Sequence, residues 1–450
     1  MRTKLTFTIL ALSAIVSLHA QSFQEGFLLN NYRLSFRYNP ALHAEGDFIS
    51  VGEFTSYSSN NIGAGAFLYP LEGQGKVVTG LNSAVSSEEF LGALKDINAK
   101  QTYLEYSLFS YGFARGEAYH TVEAGVRASY GVAVPKDVFR FLKIGGEDAF
   151  SFADTRVQGR LYMQLAYGYS RKIGDRLSVG ARAKLLAGLY GGEMRFNRFD
   201  LRAGGDSYRL DIQSHLDLTN LTGKMMDTEG GFLNPLDWSS KDKWRMPSGG
   251  GAALDLGISW EIADGLTLAA SVLDLGGCFW YYGNAAQCDG TATITGLKDF
   301  SLDDINLSGA LNQARQLGNE LLKTVQYVGL DRHFEYDPLP MQANVGLRYK
   351  MPFCEALTVG LTGNYAAYRI LPYWEGRLAL AVNPFDWLDV TANIGTGKYG
   401  MVWGAAAQIR VLRFRAHAGI ENGFGGTVPY EGTPLKANKK ALVVGLTYDL

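Results

Sequence analysis

The sequence lacks the long apolar segments from which helical membrane proteins are built. Among its 450 residues, only residues 5–18 form a near-continuous apolar run, which is shorter than the roughly 20 residues that a membrane-spanning helix needs. Arg2 and Lys4 precede this run, and Ala20 offers a small residue for cleavage. The arrangement is typical of a secretory signal peptide, so we expect residues 1–20 to be removed on export.

Cysteine and proline are scarce, and neither sign of charge is in large excess. The chain has 3 Cys, 12 Pro and a formal net charge of −2, which gives no electrostatic reason to expect nucleic-acid binding. Cys278 and Cys288 lie in one loop-like stretch of an exported protein. Their positions allow a disulfide and, equally, two free thiols. Cys354 has no evident partner.

Motifs that carry chemistry are also missing. No histidine lies at metal-ligand spacing from another histidine, cysteine or carboxylate, and neither a nucleophile elbow nor a phosphate-binding loop is present. We therefore predict no catalytic residues, no cofactor and no metal, and we do not expect an enzyme.

Glycine and aromatic residues are abundant, and they occur in an alternating pattern. The chain has 54 Gly, 25 Tyr, 24 Phe and 7 Trp, a composition that suits β-strands with one apolar face. In residues 157–170, Leu161 and Met163 belong to one register, and Arg160 and Gln164 belong to the other. A period of two over this length indicates a strand. The same pattern recurs in residues 177–185, 254–262, 357–365, 374–383, 388–394, 399–410, 412–421 and 442–450.

The lengths of these strands favour a membrane barrel over a soluble sandwich. They run for about 10 residues, enough for a tilted strand to cross a bilayer, whereas sandwich strands average about 5 or 6. Aromatic side chains such as Trp260, Tyr365 and Trp374 lie near strand ends on the apolar face, as in an interfacial girdle. We predict an all-β, antiparallel transmembrane β-barrel of 14–18 strands over residues 49–450, in contact with the lipid of a bacterial outer membrane.

The turns and loops divide between the two ends of this barrel. Short turns, such as Gly174–Asp175, fall on the periplasmic side, and the long stretches near 191–250, 277–340 and 423–439 fall outside. We predict short extracellular-loop helices over about 135–144 and 302–327. They act either as a lid over the barrel mouth or only as packing on its rim.

The polar register places charges inside the barrel. They could line a polar pore, or they could pair with each other and with a segment inside the lumen, which is where a barrel tolerates charge. The predicted lumen-facing charges are Arg160, Arg182, Lys184, Glu261, Glu375, Arg377, Arg413 and Arg415.

Residues 21–48 do not alternate, and they contain the element Asn39-Pro40-Ala41. This element resembles that of the FadL-like outer-membrane barrels, in which it lies in an N-terminal segment that plugs the lumen. Barrels of unknown function and PorP/SprF-type barrels of Bacteroidota are the most similar in character. The resemblance implies a plug over residues 21–48 and a barrel that passes or binds a hydrophobic small molecule.

Two functions are compatible with these observations. One is an outer-membrane channel or transporter for small hydrophobic molecules. The other is a non-transporting barrel that acts as the membrane partner of secretion or surface-attachment proteins. The sequence does not identify a ligand.

Overall fold

The computed structural model describes residues 24–42, 44–71, 76–145, 149–204, 207–219, 247–282, 284–295, 328–330, 333–423 and 438–450. The predicted signal peptide (1–20), the predicted helix over 302–327 and most of the 423–439 stretch lie outside the described residues. The strands in chain order are β1 (Phe48–Asn60), β2 (Leu68–Leu71), β3 (Lys76–Thr79), β4 (Ile97–Arg115), β5 (Ala118–Pro135), β6 (Ala149–Ser151), β7 (Arg156–Ile173), β8 (Leu177–Gly204), β9 (Ser207–Leu218), β10 (Gly249–Ala263), β11 (Leu266–Tyr282), β12 (Asn284–Thr295), β13 (Val328–Leu330), β14 (His333–Pro338), β15 (Gln342–Lys350), β16 (Leu357–Ala366), β17 (Tyr373–Phe385), β18 (Leu388–Gly397), β19 (Gly400–Val411), β20 (Phe414–Gly423) and β21 (Asn438–Asp449).

Fourteen of these strands form a closed antiparallel wall. Neighbours in the wall pair in the order β1, β4, β5, β7, β8, β10, β11, β15, β16, β17, β18, β19, β20 and β21. The wall closes because β1 pairs on one side with β4, through Phe48 and Gly112, and on the other with β21, through Phe48 and Asp449. Closure leaves no strand edge facing lipid, where an unpaired backbone group would cost several kcal/mol.

Alternation along the strands separates a lipid-facing surface from a polar interior. On β8, Arg182 is 3% exposed and Leu185 is 64% exposed. Successive side chains of a strand point to opposite faces, so one register of each strand reaches lipid and the other reaches the lumen. The prediction of an all-β antiparallel barrel is confirmed, and the observed number of wall strands is the lowest value of the predicted range.

Helices are few and short in the described part of the chain. They are α1 (Ser87–Ala93), α2 (Lys136–Ile144) and three 3-10 turns at Gln24–Phe27, Ser35–Arg37 and Ala64–Ala66. The helix α2 follows Pro135, near the position that the sequence predicts. None of the described helices has the length and apolar character that crossing a membrane would require.

Several strands continue beyond the wall at the end that the sequence predicts to be extracellular. We call that end extracellular and the opposite end periplasmic. β8 has 28 residues, more than twice the 9–11 or so that cross a bilayer, and its outer part pairs with β6 and β9. Helix α2 packs on this extension through Phe141, which shares a buried cluster with Phe150 and Leu201. Parts of the stretches predicted as long loops are therefore strands, because paired backbone and this small core order them.

Candidate functional site

The interior of the barrel contains the residues that precede the first strand. We call residues 24–42 the N-terminal segment. Most of its described side chains are buried, and they form hydrogen bonds or ion pairs with inward-facing groups around the wall. The arrangement of these contacts defines the candidate functional site.

Asn39 seats the N-terminal segment on the wall. Its side-chain amide donates hydrogen bonds to the carbonyl oxygens of Ile258 (2.9 Å) and Ala270 (3.1 Å), and its Oδ1 accepts one from the backbone N–H of Ala41 (2.9 Å). The last contact is an Asx turn, which fixes the backbone around the following proline. The amide geometry explains why asparagine, with both a donor and an acceptor, stands at this position.

Two paired glycines make room for this element. Gly180 of β8 and Gly257 of β10 are direct partners across the sheet. A Cβ on Gly257 would lie 2.0 Å from Oδ1 of Asn39, and one on Gly180 would lie 2.2 Å from the carbonyl oxygen of Pro40. The wall is therefore shaped to receive Asn39 and Pro40, since any other residue at either glycine would collide with them.

A buried ionic network joins the N-terminal segment to the wall. Arg37 contacts carboxylate oxygens of Glu53 on β1 and Glu123 on β5, both at 2.7 Å. Glu123 also pairs with Arg182 of β8 at 2.6 Å. Glu53 and Glu123 are almost completely buried, and buried carboxylates remain charged only when cations and hydrogen bonds compensate them.

The same network continues along the wall. Nζ of Lys184 lies 2.7 Å from Asp255 and 2.6 Å from Asp274, and Arg127 pairs with Asp274 at 2.7 Å. Asp274 has a left-handed backbone, with φ 61°, and its N–H donates to Asp255 (2.8 Å). These charges pair with one another and leave little capacity to bind a mobile ion.

A second cluster holds the start of the N-terminal segment. Gln24 accepts a hydrogen bond from Thr362 (2.7 Å) and donates one to Glu375. Arg377 pairs with Glu375 at 2.9 Å and with Glu421 at 2.7 Å. Of the predicted lumen-facing charges, Glu375 therefore contacts Gln24 directly, and Arg377 is connected to Gln24 through Glu375.

A third cluster lies at the periplasmic end, where the chain terminates. Asp449 pairs with Arg33 (2.8 Å) and with Arg415 (2.9 Å). Nearby, Nε2 of His417 lies 3.3 Å from the Tyr32 hydroxyl and 3.4 Å from Glu53. The last strand is thus tied to the N-terminal segment as well as to β1.

The remaining predicted lumen residues occupy different surroundings. Arg160 is buried between Glu193 (3.1 Å) and Asp337 (2.6 Å) near the extracellular mouth. Glu261 is half-buried and accepts a hydrogen bond from the Gly265 N–H (3.0 Å) at a periplasmic turn. Arg413 is exposed in the two-residue turn between β19 and β20, because the alternation that predicts an inward side chain is interrupted at a turn.

Cys278 and Cys288 are free thiols. Cys278 packs beside Trp280 and Tyr162, whereas Cys288 belongs to the cluster around Phe141. The disulfide that the sequence allows does not form, because the two side chains enter different packed clusters.

The structure brings together three potential metal ligands that the spacing in the sequence does not reveal. Single ligand atoms of Asp217, His333 and Glu335 all lie within 4.8 Å of one another, although β9 and β14 are far apart in the chain. Arg195 lies 3.9 Å from Glu335 and supplies positive charge there. Burial raises the pKa of the Asp217 carboxyl above its usual value, and His333 partly offsets that effect.

The predicted lumen-facing charges do not include the residues that carry the central ionic network, which are Arg37, Glu53, Glu123, Arg127 and Asp274. Arg127 and Glu123 lie on β5. The alternation of residues 118–135 could have identified them. Arg37 lies in a non-alternating segment, so no period could have revealed its partners.

Cavities flank the N-terminal segment on both sides. Toward the outside, a cavity of about 70 Å³ is lined by residues that include Arg37, Tyr103 and Asp274. On the periplasmic side, a cavity of about 500 Å³ is lined by residues that include Asn30 and Arg415. The outer cavity has room for only a few water molecules.

Comparison with solved structures finds proteins of similar architecture. The structure is similar to the Pseudomonas putida toluene transporter TodX (11% identity, 93% of this chain and 94% of that chain, TM-score 0.47). It is also similar to a Pseudomonas aeruginosa FadL homologue (12% identity, 97% and 99% coverage, TM-score 0.45). Similarity at this level does not identify a substrate for this chain. Comparison with functionally characterised proteins gave no significant match.

A family profile gives a firmer assignment. The profile described as "Family of unknown function (DUF5723)" matches residues 43–420, which include most of the barrel wall. The chain therefore belongs to the DUF5723 family.

Proposed function

We propose that this protein is an outer-membrane channel for small hydrophobic molecules, with the N-terminal segment closing its lumen. Contacts of this segment reach β1, β5, β10, β11, β16, β17, β19 and β21. A segment that meets the wall in so many directions fills the cross-section, so free diffusion of water-soluble solutes along the axis is not expected.

The observation that carries the proposal is a pair of adjacent β-bulges in the wall beside this closed lumen. The register of β1 with β21 shifts between Val51 and Phe54, where Gly52 has φ 73°. The register of β4 with β5 shifts at Leu108. Both irregularities lie at one level, because Gly52 and Leu108 fall in the same gap between paired residues of β1 and β4.

Bulges are costly in a membrane, and this cost suggests a use for them. Backbone groups left unpaired in hydrocarbon are unfavourable by several kcal/mol each, and bulges recur next to functional sites, where they redirect a side chain or end strand pairing. Val51 and Leu108 face lipid at this level, and Glu53 with its partner Arg37 lies immediately inside. An apolar solute could pass between the lipid and the lumen here without crossing the ionic network along the axis.

The proposal can be tested by repairing the wall. Deleting Gly52 and Leu108 together removes one extra residue from each bulged strand and keeps β1 and β4 in register. We expect uptake of toluene by cells that carry the protein in their outer membrane to fall at least about tenfold relative to cells with the wild type, while the purified barrel remains folded by circular dichroism. Gly250→Ala is the matched control, because a Cβ there meets nothing within 4 Å. Unchanged uptake by cells with the double deletion would exclude this route.

A second candidate function is supported by the extracellular extension. The outer part of β8, with β9, β12 and α2, forms a packed sheet above the membrane. A channel does not need such a lobe, whereas a membrane partner of secretion or surface proteins does need an exposed platform. Stoichiometric protein partners in gently solubilised native membranes would favour this second function, and co-purified apolar small molecules would favour the first.

A further inference from the structure

The connection between β16 and β17 is buried inside the mouth of the barrel. It comprises residues 367–372, which we call the strap. Tyr368 and Leu371 are only 3% and 4% exposed. A six-residue extracellular connection that ran over the surface would leave such side chains in water, so the strap has turned inward.

The strap reaches the opposite side of the wall. The backbone N–H of Leu371 donates a hydrogen bond to Oε1 of Gln101 on β4 (3.1 Å). In the wall order given above, β4 and β16 are separated by half the ring in either direction. A contact between opposite strands requires the strap to span the lumen.

Close packing fixes the strap against this far wall. The Tyr368 ring lies 4.7 Å from that of Tyr103 and 5.4 Å from that of Tyr57, between ring centroids. Cδ1 of Ile370 would lie 2.6 Å from a Cβ on Gly131 of β5. Offset aromatic contacts and a glycine that accommodates an isoleucine are features of a packed interface.

Arg369 adds ion pairs with two further strands, β8 and β14. Its Nη1 lies 3.2 Å from Oε2 of Glu193 and 3.3 Å from Oδ1 of Asp337. Both carboxylates also pair with Arg160, which is nearly buried, whereas the Arg369 side chain is 37% exposed. If the Arg369 side chain moves away, Arg160 still pairs with both carboxylates. The ion pairs of Arg369 can therefore break without leaving a buried charge uncompensated.

We propose that the strap is a second barrier, in series with the N-terminal segment and latched by Arg369. The small cavity described above lies between Tyr103, which the strap covers, and Arg37 of the N-terminal segment. The inference rests on the proposed closure of the lumen by that segment and adds an extracellular gate to it. Opening either barrier alone leaves the lumen shut.

Planar-bilayer conductance of four proteins tests the two barriers. They are the wild type, a deletion of residues 21–42, the strap variant Tyr368→Ser with Arg369→Ser and Leu371→Ser, and the combination. We expect open-channel conductance only in the combined variant. Full conductance after the deletion alone would overturn the strap as a barrier and leave the proposed closure standing. Conductance in the strap variant alone would overturn closure by the N-terminal segment, and no conductance in the folded combination would overturn both.

A labelling experiment tests the latch without a deletion. In a Cys354→Ser background, Ile370→Cys is exposed to a membrane-impermeant maleimide from the extracellular side. We expect Arg369→Ala to increase the labelling rate at least tenfold. The matched control is Arg171→Ala, which removes an exposed ion pair with Glu117 at the periplasmic end and should leave the rate unchanged. Equal rates with and without Arg369 would overturn the latch.

Discussion

Asn39 lies directly against Gly257: Oδ1 of the asparagine occupies the space next to the position where a side chain at Gly257 would begin, 2.0 Å from an ideal Cβ. This contact joins the segment that precedes the barrel to a strand in the middle of the chain. It makes the fit between the two sensitive to a single methyl group.

Gly257→Ala should therefore loosen the N-terminal segment. The added methyl forces Asn39 away from the carbonyls of Ile258 and Ala270, at a cost of about 1–3 kcal/mol from overpacking. We expect faster proteolytic cleavage within residues 24–42 of the folded barrel, measured by mass spectrometry. Gly250→Ala on the same strand is the control, and this variant should be cleaved at the same rate as the wild type. Equal cleavage of all three proteins would contradict the role of this contact.

Arg37→Met should strongly destabilise the protein. It removes the cation shared by the buried carboxylates of Glu53 and Glu123, and breaking a buried ion pair on one side costs about 3–5 kcal/mol. The measurement is the free energy of unfolding in urea with lipid vesicles. The variant that also carries Glu53→Gln should recover most of the loss, because Glu123 keeps its ion pair with Arg182 and no buried carboxylate is left without a cation. If this double variant is less stable than Arg37→Met, the explanation by an uncompensated buried charge is wrong.

The three cysteines should react differently with a thiol reagent. Cys354 is exposed, whereas Cys278 and Cys288 are buried free thiols. Burial also raises the pKa of Cys288, so less of its reactive thiolate is present at a given pH. Without reductant we expect one labelled thiol in the folded protein and three after denaturation. Only one label after denaturation would show that Cys278 and Cys288 are bridged.

Leu412→Gly should stabilise the barrel. Leu412 lies in the turn between β19 and β20 with φ 55°, a left-handed conformation that costs a non-glycine residue about 1–2 kcal/mol. Its side chain is 85% exposed, so little packing is lost. We expect a gain of about 1 kcal/mol in the free energy of unfolding. Val411→Gly, next to it but within a strand, is the contrasting control and should be destabilising.

The closed wall could be predicted from the sequence because its signal is local. The alternation around Arg182 and Leu185 distinguishes lipid from lumen within a few residues, and each strand repeats that information independently. The interior contacts could not be predicted in the same way. No sequence pattern around Arg37 and Glu123 predicts that these two residues form an ion pair. The inward path of Tyr368 results from its packing against Tyr57 and Tyr103 on the opposite side of the barrel.

By itself, then, the sequence determined which side chains face hydrocarbon and which face the interior, since a strand's period of two fixes both at once. Only the tertiary structure decided that Asn39 docks on Gly180 and Gly257, that Cys278 and Cys288 stay apart, and that the strap crosses the mouth. Those outcomes depend on which strands become neighbours when the barrel closes. Closure brings together residues from opposite ends of the chain, and no periodic pattern records that arrangement.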